Sequence, residues 1–224
     1  LIFSDMDGTL LDENSQLPAE FDEVMAELKK RGVIFAPTSG RQYFALLHQM
    51  GKYIDDFLFL AENGAFSCYR GEEMFSSVID KQEYMKVLNK ALSLGNVYPV
   101  VSGKKKGYVL RHWEPFFGEL DKYYTQAEYV DSFEDIDDDF IKLAIADNVE
   151  EDSVKNIWEP MSEVDTYLHR TLSSNVWVDY LNPEANKGWA VRKVQEKFGF
   201  KPEECAAFGD YMNDYEMMQE VYYS

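Results

Sequence analysis

The chain has 224 residues, of which 46% are hydrophobic and 15% aromatic, enough to form a sizeable core. Its formal net charge of −19 disfavours nucleic acids and anionic membranes as partners. No apolar run approaches the roughly 20 residues needed to span a bilayer. The two cysteines, Cys68 and Cys205, fit no metal or redox spacing, so a reducing, cytoplasmic environment is the simplest inference.

The chain opens on a short apolar strand that is followed by two carboxylates. Because strand side chains alternate, Asp5 and Asp7 should lie on the same side of the extended chain. Gly8 then permits a turn. Ligands of open α/β sheets bind beyond the carboxyl ends of the strands, so this pair predicts a site for a hard cation, and one carboxylate can also act as a nucleophile. The same residues alone also fit a simple acidic turn.

A strand–helix–strand unit forms the first part of the chain. Apolar residues recur at helical spacing over 18–31, and a buried strand over 33–36 leads into Ser39-Gly40-Arg41. The second strand should therefore lie parallel to the first. A Ser hydroxyl and backbone N–H groups at the start of a helix can hold a phosphate, although an ordinary helix cap has the same pattern. Arg41 either contacts substrate or pairs with a surface carboxylate.

Further elements alternate until about residue 80, where the pattern changes to an α+β insert. A helix over 43–50 and a strand over 57–61 precede Glu62-Asn63-Gly64-Ala65, which we interpret as a turn, and a hairpin follows over 67–77. Within the insert, helices are predicted over 81–94, 116–124 and 149–161, and strands over 97–101, 108–111, 140–146, 167–172 and 175–180.

A basic triplet, Lys104, Lys105 and Lys106, lies between two strands of this insert. A solvated loop is the simpler interpretation. The triplet is also the densest basic segment of an acidic chain, so we keep it as a weak candidate for substrate contact.

The first pattern returns at residue 182. Lys187 begins a helix with an apolar face, and a strand over 205–208 leads into a loop that contains Asp210, Asn213 and Asp214. These carboxylates add oxygen ligands beside the first two, as a magnesium site requires. Four carboxylates at neighbouring strand ends would repel one another without a cation.

These motifs, in this order, resemble those of the haloacid dehalogenase superfamily of phosphatases. The Ser-Gly-Arg and Glu-Asn-Gly-Ala segments are similar to those of its Cof-like branch (type IIB), which carries a C2-type cap. The resemblance implies an α/β fold with a Rossmann-like core of parallel strands, formed by 1–80 and 182–224, and an α+β cap over 81–181. It also implies a magnesium-dependent phosphatase that hydrolyses a small phosphate monoester, such as a sugar phosphate, through an aspartyl-phosphate.

The resemblance also implies a role for each motif residue. Asp5 attacks phosphorus, Asp7 moves the proton to and from the reacting oxygens, and Lys187 offsets the repulsion between carboxylate and phosphate. Magnesium is held by Asp5, by the backbone carbonyl of Asp7 and by Asp210. Ser39, Gly40 and Lys187 hold the phosphoryl oxygens. Asn213 contacts the substrate, and Asp214 orients Lys187 or water.

Two other functions fit the same motifs. A phosphomutase of the phosphomannomutase type would pass the phosphoryl group to another sugar hydroxyl. A binding protein without catalysis would use the same fold, but the acid, base and lysine positions are all intact. The sequence leaves the substrate open among sugar phosphates, pyridoxal phosphate and flavin precursor phosphates. We expect a small-molecule substrate and a monomer or weak homo-oligomer.

The two ends of the chain suggest that residues are missing. The sequence starts inside a strand, and it stops shortly after the last motif, at Ser224. We expect either that terminal residues are omitted or that a truncated core leaves an apolar sheet edge exposed.

Overall fold

The computed structural model describes residues 1–116, 126–147, 152–173 and 175–224. The helix predicted over 116–124 lies outside these residues except for its first position. The first three positions of the helix predicted over 149–161 also lie outside the described residues.

The strands are numbered along the chain within the described residues. They are β1 (Ile2–Asp5), β2 (Phe35–Thr38), β3 (Leu58–Ala61), β4 (Phe66–Tyr69), β5 (Glu72–Ser76), β6 (Tyr98–Gly103), β7 (Gly107–Leu110), β8 (Ala127–Val130), β9 (Phe140–Ala146), β10 (His169–Leu172), β11 (Trp177–Leu181) and β12 (Ala206–Phe208).

The α-helices of the described residues are α1 (Phe21–Lys30), α2 (Tyr43–Met50), α3 (Lys81–Ser93), α4 (Lys187–Phe198) and α5 (Tyr215–Gln219). None of these helices has both the length and the apolar character that crossing a membrane requires.

The chain divides into two compact units. The larger contains Leu1–Ser76 and Glu184–Ser224, and the smaller contains Ser77–Pro183. The inserted unit thus begins slightly before and ends slightly after the predicted range of 81–181. A hydrogen bond joins its two ends, since the Asn182 side-chain amide donates to the Ser77 hydroxyl at 3.0 Å.

The larger unit is built on a six-stranded sheet in the order β12-β1-β2-β3-β4-β5. Strands β12, β1, β2 and β3 are parallel, whereas β4 and β5 are antiparallel additions at one edge. The predicted parallel pairing of the first two strands is confirmed. Asp5 pairs with Thr38, so the carboxyl ends of β1 and β2 lie side by side. This edge of the sheet collects the motif residues.

Helices α1 and α4 of this unit each bury an apolar face, as the sequence predicts. In α1 the buried residues are Phe21 and Met25. In α4 Ala190, Val191 and Val194 are all completely buried. Because parallel strands are covered on both sides, the strand ends are held by a dense core.

The inserted unit has its own six-stranded sheet, in the order β10-β11-β9-β6-β7-β8. Its pairs are antiparallel except for β7 with β8. Helix α3 begins after Asp80, whose carboxylate accepts hydrogen bonds from the backbone N–H groups of Gln82 and Glu83 at 3.0 Å. It packs an apolar face into a separate core. The unit is therefore an α+β domain.

The basic triplet of this unit is occupied by acidic and carbonyl partners. Lys104 lies 3.8 Å from a carboxylate oxygen of Asp139, and Lys106 lies 2.6 Å from one of Glu128. The ammonium group of Lys105 donates to the backbone carbonyl of Asp137. Two of the three ammonium groups are thus paired with carboxylates and the third with a carbonyl, which weakens the case for a substrate contact.

The helix predicted over 149–161 is not a continuous α-helix where the structure describes it. Val154–Trp158 forms a π-helical turn, and Pro160–Glu163 forms a 3-10 turn. Pro160 lacks the N–H group that would continue the helix, which accounts for the break.

A glycine in the turn after β3 allows that turn to contact the start of α4. Gly64 has a φ of +90°, and an added Cβ would lie 2.6 Å from the carbonyl oxygen of Asn186 and 2.8 Å from the Cβ of Ala190. The contact places the turn beside the helix that carries Lys187. A backbone atom cannot move away as a flexible side chain can, so the position requires glycine.

We expect Gly64→Ala to lower the free energy of unfolding by about 2–5 kcal/mol, because it adds a steric overlap to the cost of a left-handed backbone. Gly32→Ala is the matched control, since Gly32 has a φ of +69° and nothing within 4 Å of an added Cβ. It should cost about 1–2 kcal/mol. Urea denaturation followed by tryptophan fluorescence measures both, and equal losses would contradict the steric argument.

Candidate active site

The carboxylate of Asp5 lies at the carboxyl end of β1 and is almost completely buried. Lys187 provides its partner, because the Nζ of Lys187 donates a hydrogen bond to Oδ1 of Asp5 at 2.5 Å. The Lys187 side chain is itself fully buried. The same Nζ also donates to Oδ1 of Asp214, another buried carboxylate. One cation thus joins two acids that are far apart in the sequence.

The start of α4 fixes the position of this lysine. Asn186 precedes the helix, and its side-chain oxygen accepts the backbone N–H of Trp189 at 2.8 Å. Lys187 is the first residue of the helix, so its side chain starts from a capped helix end. Lys187 is completely buried, so it is not a surface residue.

Burial raises the pKa of the Asp5 carboxyl above its ordinary value. The charge of Lys187 and its hydrogen bond act in the opposite direction, whereas the charge of Asp214 adds to the rise. Burial disfavours the ionised form of an acid, and a nearby cation favours it. Lys187 is therefore the group that supports an anionic Asp5 in this dry position.

The loop after β12 is folded around Asp214. Oδ2 of this residue accepts the backbone N–H groups of Asp210 at 3.1 Å and Tyr211 at 3.2 Å. Asp210 is in turn tied to the first loop of the chain, because the Thr9 hydroxyl donates to its Oδ1 at 2.8 Å. These bonds hold the first and last motifs together.

Gly8 allows the first loop to approach Asp210. It has a φ of +88°, and an added Cβ would lie 2.5 Å from Oδ2 of Asp210. A side chain at this position would push the Asp210 carboxylate away from its present place.

Three carboxylates form a group that can hold a metal ion. One ligand oxygen from each of Asp5, Asp210 and Asp214 lies within 4.8 Å of the others. Carboxylate oxygens are the ligands that hard cations such as Mg²⁺ prefer. The carboxylate of Asp7 lies outside this group within the described residues.

Asp7 is instead paired with Arg41. The guanidinium donates from Nε to Oδ2 of Asp7 at 2.8 Å and from Nη2 to Oδ1. Such two-point contacts fix the orientation of a carboxylate. The side chain of Asp7 is 54% exposed and that of Arg41 is 17% exposed. The sequence left the role of Arg41 open, and the structure identifies its partner as a predicted catalytic residue.

The predicted phosphate-binding residues follow β2. Ser39 is buried, and its hydroxyl oxygen accepts the backbone N–H of Arg41 at 3.1 Å. An added Cβ at Gly40 would lie 3.1 Å from the side-chain oxygen of Asn63. The side-chain amide of Asn213 donates to that same oxygen of Asn63 at 3.3 Å.

Asn63 is therefore a site residue that sequence reasoning missed. It was interpreted as part of a turn, and its φ of +53° is indeed that of a turn residue. The signal that could have found it is its place at the end of a core strand, next to the other motif-bearing strand ends.

The comparison with protein families identifies the family of the chain. The sequence model of a family described as haloacid dehalogenase-like hydrolase matches residues 2–224. The chain belongs to the haloacid dehalogenase-like hydrolases. The matching model represents the Cof type, so the predicted branch is confirmed as well.

Several curated relatives of this hydrolase are phosphatases. The chain is 28% identical, over its whole length and 83% of the relative, to a 5-amino-6-(5-phospho-D-ribitylamino)uracil phosphatase of Escherichia coli. It is 23% identical to an HMP-PP phosphatase of Klebsiella pneumoniae, covering 97% of this chain and 79% of the relative.

Solved structures of the same fold agree over nearly the whole chain. A Streptococcus mutans protein matches with a TM-score of 0.86 and 25% identity, covering all of this chain and 85% of the other. A sugar phosphatase of haloacid dehalogenase subclass IIB matches with a TM-score of 0.77 and 20% identity, covering 98% and 84%. The predicted α/β fold is confirmed. The chain is a hydrolase of the phosphoric monoester class that acts on small phosphate esters.

We expect Lys187→Met to lower the free energy of unfolding by about 3–5 kcal/mol, because it leaves two buried carboxylates without their cation. Lys193→Met on the same helix is the control, since Lys193 is partly exposed and should change stability by only about 0.5 kcal/mol. Urea denaturation checks the difference. A Lys187→Met variant as stable as the control would contradict the structural role of the lysine.

Proposed function

We propose that the chain is a magnesium-dependent phosphatase that hydrolyses a small phosphate monoester through an aspartyl-phosphate on Asp5. One observation carries the proposal: a strand-end carboxylate is held by a buried lysine beside two further carboxylates. That combination supplies a nucleophile, a cation that offsets its charge, and oxygen ligands for a metal.

In this mechanism Asp5 attacks the phosphorus atom in line with the leaving group. The new bond joins an Asp5 oxygen to phosphorus, the ester P–O bond breaks, and Asp7 donates a proton to the departing alcohol. Asp7 then takes a proton from water, whose oxygen attacks phosphorus, releases phosphate and restores Asp5. The contact with Arg41 holds the Asp7 carboxylate in one orientation and favours its ionised form, so the guanidinium must leave at least one Asp7 oxygen before that oxygen carries the proton.

The other motif residues hold the phosphate in place. Lys187 offsets the repulsion between the Asp5 carboxylate and the phosphoryl oxygens. Ser39 and Gly40 supply a hydroxyl and a backbone N–H, and Asn213 contacts the substrate. The bond between Asn213 and Asn63 supports this assignment, since it joins the last motif to the β3 turn near Gly40.

The cluster of three carboxylates fits a magnesium ion. Its donors are oxygens only, and they come from Asp5, Asp210 and Asp214, with the backbone carbonyl of Asp7 as the family implies. When bound, magnesium would offset the negative charge of the phosphoryl group. The hydrogen bonds that Asp214 accepts from Lys187 and from two backbone N–H groups support its proposed role in orienting Lys187 or water.

The substrate proposed here is a phosphorylated sugar or polyol that carries a planar heterocyclic ring. Tyr211 and Met212, which follow Asp210 directly, are 71% and 75% exposed, as a surface for such a ring would be. The Escherichia coli relative is named for a phosphoribityl uracil of this kind. The inserted unit has the substrate-selecting cap role that the family implies. Free thiols at Cys68 and Cys205 support a cytoplasmic setting.

A phosphate-release screen tests the proposal. The panel contains sugar monophosphates, pyridoxal phosphate and 5-amino-6-(5-phospho-D-ribitylamino)uracil, each with magnesium. We expect the ring-bearing polyol phosphate to give the highest kcat/KM. Release from none of them would overturn the proposed substrate class, and isomerised monophosphate after addition of a sugar bisphosphate would favour the mutase instead.

Chelation should abolish phosphate release, and added magnesium should restore it, because the clustered carboxylates need a cation to accept an anionic substrate. Asp210→Asn should raise the magnesium concentration that gives half-maximal activity by at least roughly 10–100-fold. Mutation of residues that only support a metal's ligands already lowers metal affinity by this factor. Steady-state assays at graded magnesium measure the shift. Full activity in excess EDTA would contradict the metal role.

Asp5→Asn and Asp7→Asn should fail at different steps. Asp5→Asn loses the nucleophile, so no phosphoenzyme forms. Asp7→Asn keeps the backbone carbonyl but loses proton transfer, which contributes roughly 10²–10⁴-fold. For Asp7→Asn, the loss of rate should be smaller with p-nitrophenyl phosphate, because its leaving group hardly needs a proton. With that substrate, Asp7→Asn should accumulate an acid-stable, hydroxylamine-sensitive phosphoenzyme.

Radiolabelled substrate and acid quenching measure this phosphoenzyme. Label retained on Asp5→Asn would overturn the assignment of the nucleophile. Equal residual rates of the two variants on activated and unactivated esters would overturn the assignment of the acid and base.

A further inference from the structure

A cavity of about 550 Å³ lies at the amino ends of β2 and β3, away from the proposed active site. Phe35, the first residue of β2, lines it, whereas Ser39 follows the last residue of the same strand. A strand rises about 3.3 Å per residue, so the four steps from Phe35 to Ser39 separate the two places by roughly 13 Å. The cavity has the size of an ordinary small-molecule site.

Aromatic side chains form much of the cavity wall. Phe35 and Phe57 are buried, and their ring centres are 5.0 Å apart. Tyr53 stacks on Phe57 with a centre distance of 4.3 Å and an angle of 9°. Tyr69 completes the set of lining rings. Since these rings already pack against one another, the wall is formed before any ligand arrives.

Most charges around the cavity are already paired. Lys29 lies 2.7 Å from an oxygen of Asp56. Lys52 donates to both carboxylate oxygens of Asp22 at 2.6 and 2.7 Å. These pairs neutralise the two lysines and two of the lining acids, so they leave no net charge for a ligand.

Arg70 differs from these lysines. It is exposed in the turn between β4 and β5, and within the described residues its guanidinium has no carboxylate partner. Its guanidinium carbon lies 5.0 Å from the ring centre of Tyr69, a cation–π contact that keeps it beside an aromatic wall. Arginine binds carboxylate, sulfonate and phosphate groups through two parallel donors. Asp55, the remaining lining acid, is exposed and forms no ion pair with Arg70.

We propose that this cavity is a second binding site, for a small planar aromatic molecule that carries one anionic group. The ring packs among the aromatic side chains, because stacked and edge-on ring contacts are favourable. The anionic group pairs with Arg70. The site uses none of the residues of the proposed phosphatase centre, so it is independent of that proposal.

Calorimetric titration of the whole chain with naphthalene-2-sulfonate tests the site. Naphthalene-2-methanol serves as the neutral ring and sulfate as the anion without a ring. We expect saturable binding of one sulfonate per chain, at least roughly tenfold weaker binding of the alcohol, and none of sulfate in the same concentration range. Each titration is run once without and once with magnesium and orthovanadate, a phosphate analogue that occupies the phosphatase centre.

Two variants locate the bound probe. Arg70→Gln should weaken binding roughly tenfold, because it removes the charged partner but keeps an unbranched polar side chain at this position. Lys30→Gln is its matched control, since it changes the charge equally on exposed α1 surface outside the cavity lining, and it should bind within about twofold of the parent. Ala26→Phe, at an exposed lining position of α1, should block binding by filling the space.

Three results would overturn the proposal. One is the absence of saturable binding by the parent chain at millimolar probe. Another is equal affinity of the Arg70→Gln and Lys30→Gln variants, or unchanged affinity of folded Ala26→Phe. The last is release of the probe by orthovanadate, which would place it at Asp5. Circular dichroism confirms folding of each variant, and because no readout depends on phosphate release, failure of the proposed function would leave this test intact.

Discussion

The ammonium group of Lys187 lies between the carboxylates of Asp5 and Asp214, and the rest of the active centre depends on this contact. All three side chains are removed from water. A buried charge without a partner costs several kcal/mol, so the two hydrogen bonds from Lys187 offset much of the cost of burying these carboxylates. The same contact thus stabilises the core and positions Asp5, the proposed nucleophile.

The parallel sheet explains how such distant residues meet. Strands β12, β1 and β2 are neighbours with the same direction, so the residues after each strand emerge at one edge. Short-range contacts then fix the loops, and the close approach of Gly8 to Asp210 is one of them. The inserted unit interrupts the chain between β5 and α4 without interrupting the sheet order.

Much of this architecture could be predicted from the sequence, because strand, turn and helix signals are local. The partner of Arg41 could not, since a long side chain reaches Asp7 across a loop whose shape the sequence does not show. Lys104 looked available only because its carboxylate partner, Asp139, lies 35 residues further along the chain. The sequence does contain the proline that breaks the helix at Pro160, although the apolar spacing around it favours a continuous helix.

The pairing of β1 with β12 also bears on how the protein is made. Ile2 pairs with Ala206, so the strand that carries Asp5 lacks one of its two neighbours until residue 206 has been synthesised. Contacts between such distant residues form late and slowly, because a long loop must close first. The inserted unit, whose strands are contiguous in sequence, can fold earlier. The sheet edge that carries Asp5 is therefore completed only when β12, about 200 residues after β1, joins the sheet.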